Sequence, residues 1–181
     1  MKTNILILFA TCAASVNSKL NVETETYFDF PNNCTLPTNL SPFLHFGQKF
    51  YIIDPNQMMN WYGAAHFCRA KDADLASILS ADEMKAISDG LISLGDIASE
   101  KNSFWISGND LGNQGEYEWL GKGIPMSYTK WFKSQPDNKD EHCVLLLRDN
   151  DTFYMHDDKC DKKSYVICES NIPKTVAITI W

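Results

Sequence analysis

Two stretches of this chain carry apolar residues at helical spacing, and several others read as short strands. Trp61, Ala64, Ala65 and Cys68 recur at intervals of three or four residues, which lines one face of a helix. Asn60 precedes them and can cap a helix from Trp61 to about Lys71. That face turns inward and carries Cys68 to the core. Ser80-Ala81-Asp82-Glu83 forms a capping box that opens a second helix, with Met84, Ile87, Leu91 and Leu94 as its buried stripe. Lys49-Phe50-Tyr51-Ile52-Ile53 is β-prone and ends at Asp54-Pro55. After Asn102 the pattern shortens. Phe104–Ser107, Tyr117–Leu120, Val144–Leu147, Phe153–Met155 and Tyr165–Cys168 read as strands separated by Gly, Asn and Asp turns. Two helices followed by short strands predict a mixed α+β domain. The stretch between Leu120 and Cys143 is long for a connection with little regular structure, and such loops commonly carry function. Trp131 is placed to pin it to the core.

At 181 residues the chain fits one domain with extensions. Its net charge of −7 argues against a nucleic-acid partner, which would call for basic patches. The first 18 residues read as a secretory signal peptide: Lys2, an apolar run Ile5-Leu6-Ile7-Leu8-Phe9-Ala10, then small residues. That run is too short to span a bilayer. Secretion implies an extracellular, oxidising environment and removes Cys12 from the mature chain. Cys34, Cys68, Cys143, Cys160 and Cys168 remain, and their spacing alone leaves the pairing open. Residues 19–43 read as a flexible leader, 44–169 as the folded domain and 170–181 as a tail. Asn33 and Asn150 begin N-glycosylation patterns.

The candidate chemistry lies in Gln135-Pro136-Asp137-Asn138-Lys139-Asp140-Glu141-His142-Cys143 and Met155-His156-Asp157-Asp158-Lys159-Cys160. Glu141 stands two residues before Cys143, and Asp157 three before Cys160. Pro136 permits a cis peptide and a tight turn that can aim Gln135 and Asp137 at one point. Three carboxylates and an amide oxygen, without a thiolate, suit Ca²⁺ better than Zn²⁺ or Cu²⁺. A solvated acidic turn is the plainer account of any one of these residues; the set favours a metal.

These spaced motifs resemble the sugar-binding calcium site of C-type lectin domains, and the run Phe104–Trp119 resembles the middle of secreted insect C-type lectins. The resemblance covers about residues 44–169. It implies a C-type lectin fold with disulfides Cys68–Cys168 and Cys143–Cys160, which leaves Cys34 unpaired within the domain, to bridge to a second chain, cap to a small thiol or stay free. It also implies that Gln135, Asp137, Glu141, His156 and Asp157 hold calcium and contact sugar. By resemblance, Gln-Pro-Asp favours galactose or N-acetylgalactosamine, on glycans of microbial or cell surfaces, in an innate-immune or adhesive role. Two positions depart from the family's pattern. His156 stands where the family has an asparagine, and no aromatic residue follows Asp137 until Phe153. The alternative is a protein-binding module of the same fold that works without calcium. An enzyme built on paired carboxylates ranks below both, since nothing in the chain resembles an activated nucleophile.

Overall fold

Each helix starts where a side chain satisfies its first free backbone donors. Asn60 accepts from the Gly63 N–H at 2.8 Å and opens helix α1, Trp61–Arg69. Ser80 accepts from the Glu83 N–H at 3.2 Å and opens helix α2, Ala81–Ser93. The reciprocal arm of this box is displaced by one residue, because the Glu83 carboxylate accepts from the Leu79 N–H at 2.8 Å. The predicted stripes point inward. Trp61, Ala64 and Cys68 of α1 are buried, as are Met84, Ile87 and Leu91 of α2. Gly90 on α2 is required by packing, since a Cβ there would lie 2.3 Å from the Phe46 ring.

The computed structural model describes residues 43–137 and 139–170. The segments expected to be a signal peptide and a leader, with Asn33 and Cys34, and the tail from 171 lie outside the described residues. The strands are β1 Phe43–Phe46, β2 Lys49–Ile53, β3 Ala73–Leu75, β4 Ser103–Asn109, β5 Glu118–Trp119, β6 Ile124–Pro125, β7 Cys143–Asp149, β8 Thr152–Asp158 and β9 Tyr165–Ser170. A single-turn 3-10 helix, Gly95–Ala98, follows α2. Strands β2 and β3 flank β9, and β4 continues the sheet toward β5 and β7, with β8 beyond β7. The pairs are antiparallel except β4 with β9, which run parallel with Phe104 opposite Tyr165. The brevity of β1, β3 and β6 explains why periodicity misses them: two to four residues show no alternation.

Two apolar clusters fill the space between helices and sheet. One joins α2 to Phe104, Ile106, Leu146, Phe153 and Met155. The other joins α1 to Trp105, Leu145, Val166 and Cys168. Successive residues of β4 therefore serve opposite sides, and all seven are buried. Each large side chain so enclosed contributes roughly 1.5–3 kcal/mol relative to exposure. Both expected disulfides are formed. Cys68–Cys168 clamps α1 onto β9 across 100 residues of sequence. Cys143–Cys160 spans 17 residues and joins the start of β7 to the turn after β8.

Candidate functional site

The β7–β8 hairpin and the loop before it assemble the site. The register places Val144 opposite Asp157 and Leu145 opposite His156. The buried positions of β8 are Phe153, Met155 and Asp157. Strand alternation thus sends Asp157 to the same buried side of β8 as Phe153 and Met155. There it accepts from the Tyr117 hydroxyl at 3.1 Å and from the Asp137 N–H at 3.3 Å. The second bond stitches the loop to β8. Tyr117 meets Trp131 edge-on, with centroids 5.0 Å apart. Trp131 packs against the larger cluster, as its placement predicts. Backbone bonds on either side of it, Met155 N–H to Lys130 carbonyl and Phe132 N–H to Met155 carbonyl, both 2.8 Å, fasten the loop to β8.

The Gln135–Pro136 peptide is cis. The loop beyond it brings carboxylate oxygens of Asp137, Glu141 and Asp157 within 4.8 Å of one another. Glu141 is held above the usual carboxylate range, first by partial burial and then by the charges of Asp158, Asp137 and Asp157. Asp137 is held below that range by Lys139, whose ammonium lies 2.7 Å away. Lys139 is raised in return by Asp137. Asp157 and Asp110 raise Tyr117 further, after burial, which keeps its hydroxyl protonated as a donor to Asp157.

Gln135 completes the set in an informative way. Its Oε1 is buried and accepts no hydrogen bond among the described residues. A buried amide oxygen without a donor is costly unless a cation or a ligand's proton reaches it. Trp119 Nε1 is also unpartnered, but it is a donor and cannot serve a cation. Three converging carboxylates fit a hard divalent cation, and the idle amide oxygen of Gln135, two residues before Asp137 in the same loop, is a ligand type that suits it; Gln135, Asp137, Glu141 and Asp157 are the residues that would hold it.

His156 falls outside the group of three. It lies on the half-exposed face of β8, and its Nδ1 contacts the Asp157 carbonyl oxygen at 2.5 Å. It is near enough to Glu141 to lower that group's proton affinity slightly. Asp158 is engaged elsewhere, pairing with Lys162 at 2.5 Å. Asn150 is exposed in the β7–β8 turn with φ +53°. Sequence reasoning left two participants unassigned. Tyr117, read only as strand, steers Asp157. His142 binds the fully buried Asp110 carboxylate at 2.9 Å and so supports the backbone around Glu141. A tyrosine just before a short strand carries no signal of a partner forty residues away.

Residues 57–170 match the family model described as the lectin C-type domain. The chain belongs to the C-type lectin family. It is 29% identical to C-type lectin 37Da of Drosophila melanogaster over 165 residues, 86% of each chain. It is 37% identical to perlucin of Haliotis laevigata over 115 residues, 62% of this chain and 71% of that one. Among solved structures, the mouse scavenger receptor C-type lectin carbohydrate-recognition domain superposes with a TM-score of 0.60 at 28% identity. The match covers 71% of this lectin and 94% of that domain. Proteins with this domain are generally carbohydrate-binding and non-enzymatic. Among the described residues, no helix is long and apolar enough to cross a membrane.

Proposed function

We propose that this chain is a secreted, calcium-dependent lectin for glycans ending in galactose or N-acetylgalactosamine. Residues 44–169 form the binding domain, and residues 1–18 direct secretion. The observation that carries the reading is the convergence of Asp137, Glu141 and Asp157 in the loop that also holds Gln135, whose buried Oε1 accepts no hydrogen bond among the described residues. Calcium, when bound, offers coordination positions to two neighbouring sugar hydroxyls. The chain's own residues do the rest. Tyr117 and the Asp137 N–H hold Asp157 in place. Gln135 can donate and accept toward a hydroxyl, while ionised Asp137 only accepts. That order of amide and carboxylate supports galactose over mannose through the family resemblance. The 2.7 Å Lys139–Asp137 pair must open for Asp137 to face the ion, and the exposure of Lys139 makes that inexpensive.

A second reading draws on the same pair and on His156. With Lys139 neutralising Asp137 and an imidazole beside Asp157, the loop can work without calcium as a protein-binding surface. Calorimetric titration of calcium into the disulfide-intact protein, with magnesium as control, separates the two. Saturable binding that magnesium does not reproduce, followed by competition with galactose, is expected. Folded protein that takes up no calcium would leave the protein-binding module.

A further inference from the structure

We infer that residues 176–181 fold back onto their own domain and lie in an apolar groove between α1 and the turn after β5, whether or not the chain binds sugar. The groove has a volume of about 480 Å³. It is lined by Tyr62, Ala65 and His66 from α1, and by Leu111 and Leu120 from the loops after β4 and β5. Tyr62 is 50% exposed, Leu111 44% and Leu120 45%. Three large apolar side chains therefore stand in solvent around one depression. Single exposed apolar residues are ordinary, but a cluster at a groove marks a docking surface.

The chain beyond β9 supplies the occupant. Residues 171–181 include the run Val176-Ala177-Ile178-Thr179-Ile180-Trp181. It carries no charge and no proline, and β-branched and aromatic side chains prevail. Left in water, such a run is prone to pair with other chains. Contacts at the end of β9 bring the start of this segment to the groove. Ser170 lies opposite Ala73. Glu169 pairs with Lys122, two residues after Leu120. A Cβ on Gly121 would lie 3.1 Å from the Asp74 Cβ, and Asp74 also pairs with Arg69 at the end of α1. Strand β9 thus ends where the 120–122 turn approaches the last residue of α1. Residues 171–175 reach about 17 Å when extended, enough to pass this junction before Val176. An extended run then sets Val176, Ile178 and Ile180 on one face. Placing that face against Tyr62, Leu111 and Leu120 removes apolar surface from water on both sides. The tether makes the encounter intramolecular, so a small contact suffices.

The test compares the purified mature chain with one shortened after Ser170, by amide hydrogen exchange and methyl resonances. The Leu120 N–H donates to the Ser107 carbonyl at 3.1 Å and reports on the groove. In the shortened chain it should exchange about tenfold faster. The Leu111 and Leu120 methyl resonances should shift, while those of Leu79, exposed but not part of the groove, should stay in place. Ile178→Asp should reproduce both changes in the full chain, and Tyr62→Ser should do so from the other side of the contact. Identical exchange and resonances in the full and shortened chains overturn the inference. Changes that Ile178→Asp fails to reproduce also overturn it, since the apolar face would not be the contact. A difference between full and shortened chains that vanishes on dilution assigns the groove to a second copy and overturns intramolecular docking. If the shortened chain does not fold, Ile178→Asp and Tyr62→Ser decide by the same readouts: changes at Leu111 and Leu120 support the inference, and their absence overturns it.

Discussion

Two groups of acidic side chains in this protein meet opposite fates. Glu169, at the end of β9, is nearly buried and fully answered. Lys49 reaches it at 3.3 Å, Lys122 pairs with its other oxygen, and the Ser77 N–H donates to it at 3.0 Å. Lys49 also serves Glu83 at 3.1 Å. At the loop, Asp137, Glu141 and Asp157 crowd together with the exposed Lys139 paired to Asp137, and Gln135 Oε1 has no donor among the described residues. The first group is balanced by the chain itself and belongs to the fold. The second carries excess negative charge in a partly desolvated setting, which a fold tolerates where a cation completes it. The difference teaches how to tell a structural carboxylate from a ligand: count the partners, not the burial.

The contrast can be broken at several points. The largest effect should come from the disulfides that anchor each region. Replacing Cys68 and Cys168 with alanine should cost about 4–5 kcal/mol, given their separation of 100 residues. Replacing Cys143 and Cys160, separated by 17, should cost about 3 kcal/mol and also weaken calcium binding. Urea unfolding followed by circular dichroism measures both. If the shorter disulfide proved as costly as the longer one, the loop region would be as integral to stability as the core.

Glu169→Ala should cost about 1–3 kcal/mol, because it leaves the buried Ser77 N–H without its acceptor and removes the partner of Lys122 while Lys49 keeps Glu83, yet leave calcium affinity unaltered. Asp157→Asn should do the reverse, lowering calcium affinity about a hundredfold through loss of a ligand charge. A smaller change separates positioning from ligation. Tyr117→Phe removes the donor to Asp157 and should weaken calcium about tenfold, with about 1 kcal/mol lost in stability. Unaltered calcium affinity in that variant would mean Asp157 is positioned by strand pairing alone.

The mildest test is pH. Glu141 has a folded pKa above its unfolded value, so the fold binds its proton more tightly than the unfolded chain does. Its contribution to metal-free stability is therefore favourable at low pH and is lost as pH rises through the raised folded value. Asp137 behaves oppositely: its contribution is present above the unfolded value and is lost as pH falls through the depressed one. Calcium affinity should decline on acidification beginning above the usual carboxylate range, since the Glu141 proton competes with the ion. Glu141→Gln should flatten that decline in a calorimetric series and modestly stabilise the metal-free protein.

Much of this was legible along the chain, and the exceptions have physical causes. Both helices announced themselves through caps and stripes, because i to i+3 and i+4 contacts are local. The proline at 136 and the acid-to-cysteine spacings marked the loop. The displaced capping contact of Glu83 was not legible, since its carboxylate is shared with Lys49 from another strand. The parallel pairing of β4 with β9 was hidden as well, because it joins segments sixty residues apart. The family resemblance grouped His156 with the ligands; on β8 it alternates with Asp157, and the three side chains that converge are Asp137, Glu141 and Asp157.

By itself the sequence determined the α+β class, the helix starts, the site loop and the residue types that suit a hard cation, since each depends on neighbours within a few positions. Only the tertiary structure decided which acids converge, which lysines answer them, that Tyr117 holds Asp157, and that Gln135 Oε1 lacks a donor among the described residues. Those relations cross gaps of tens of residues. They are set by strand register and by the way the loop packs through Trp131, and neither is encoded in any local pattern.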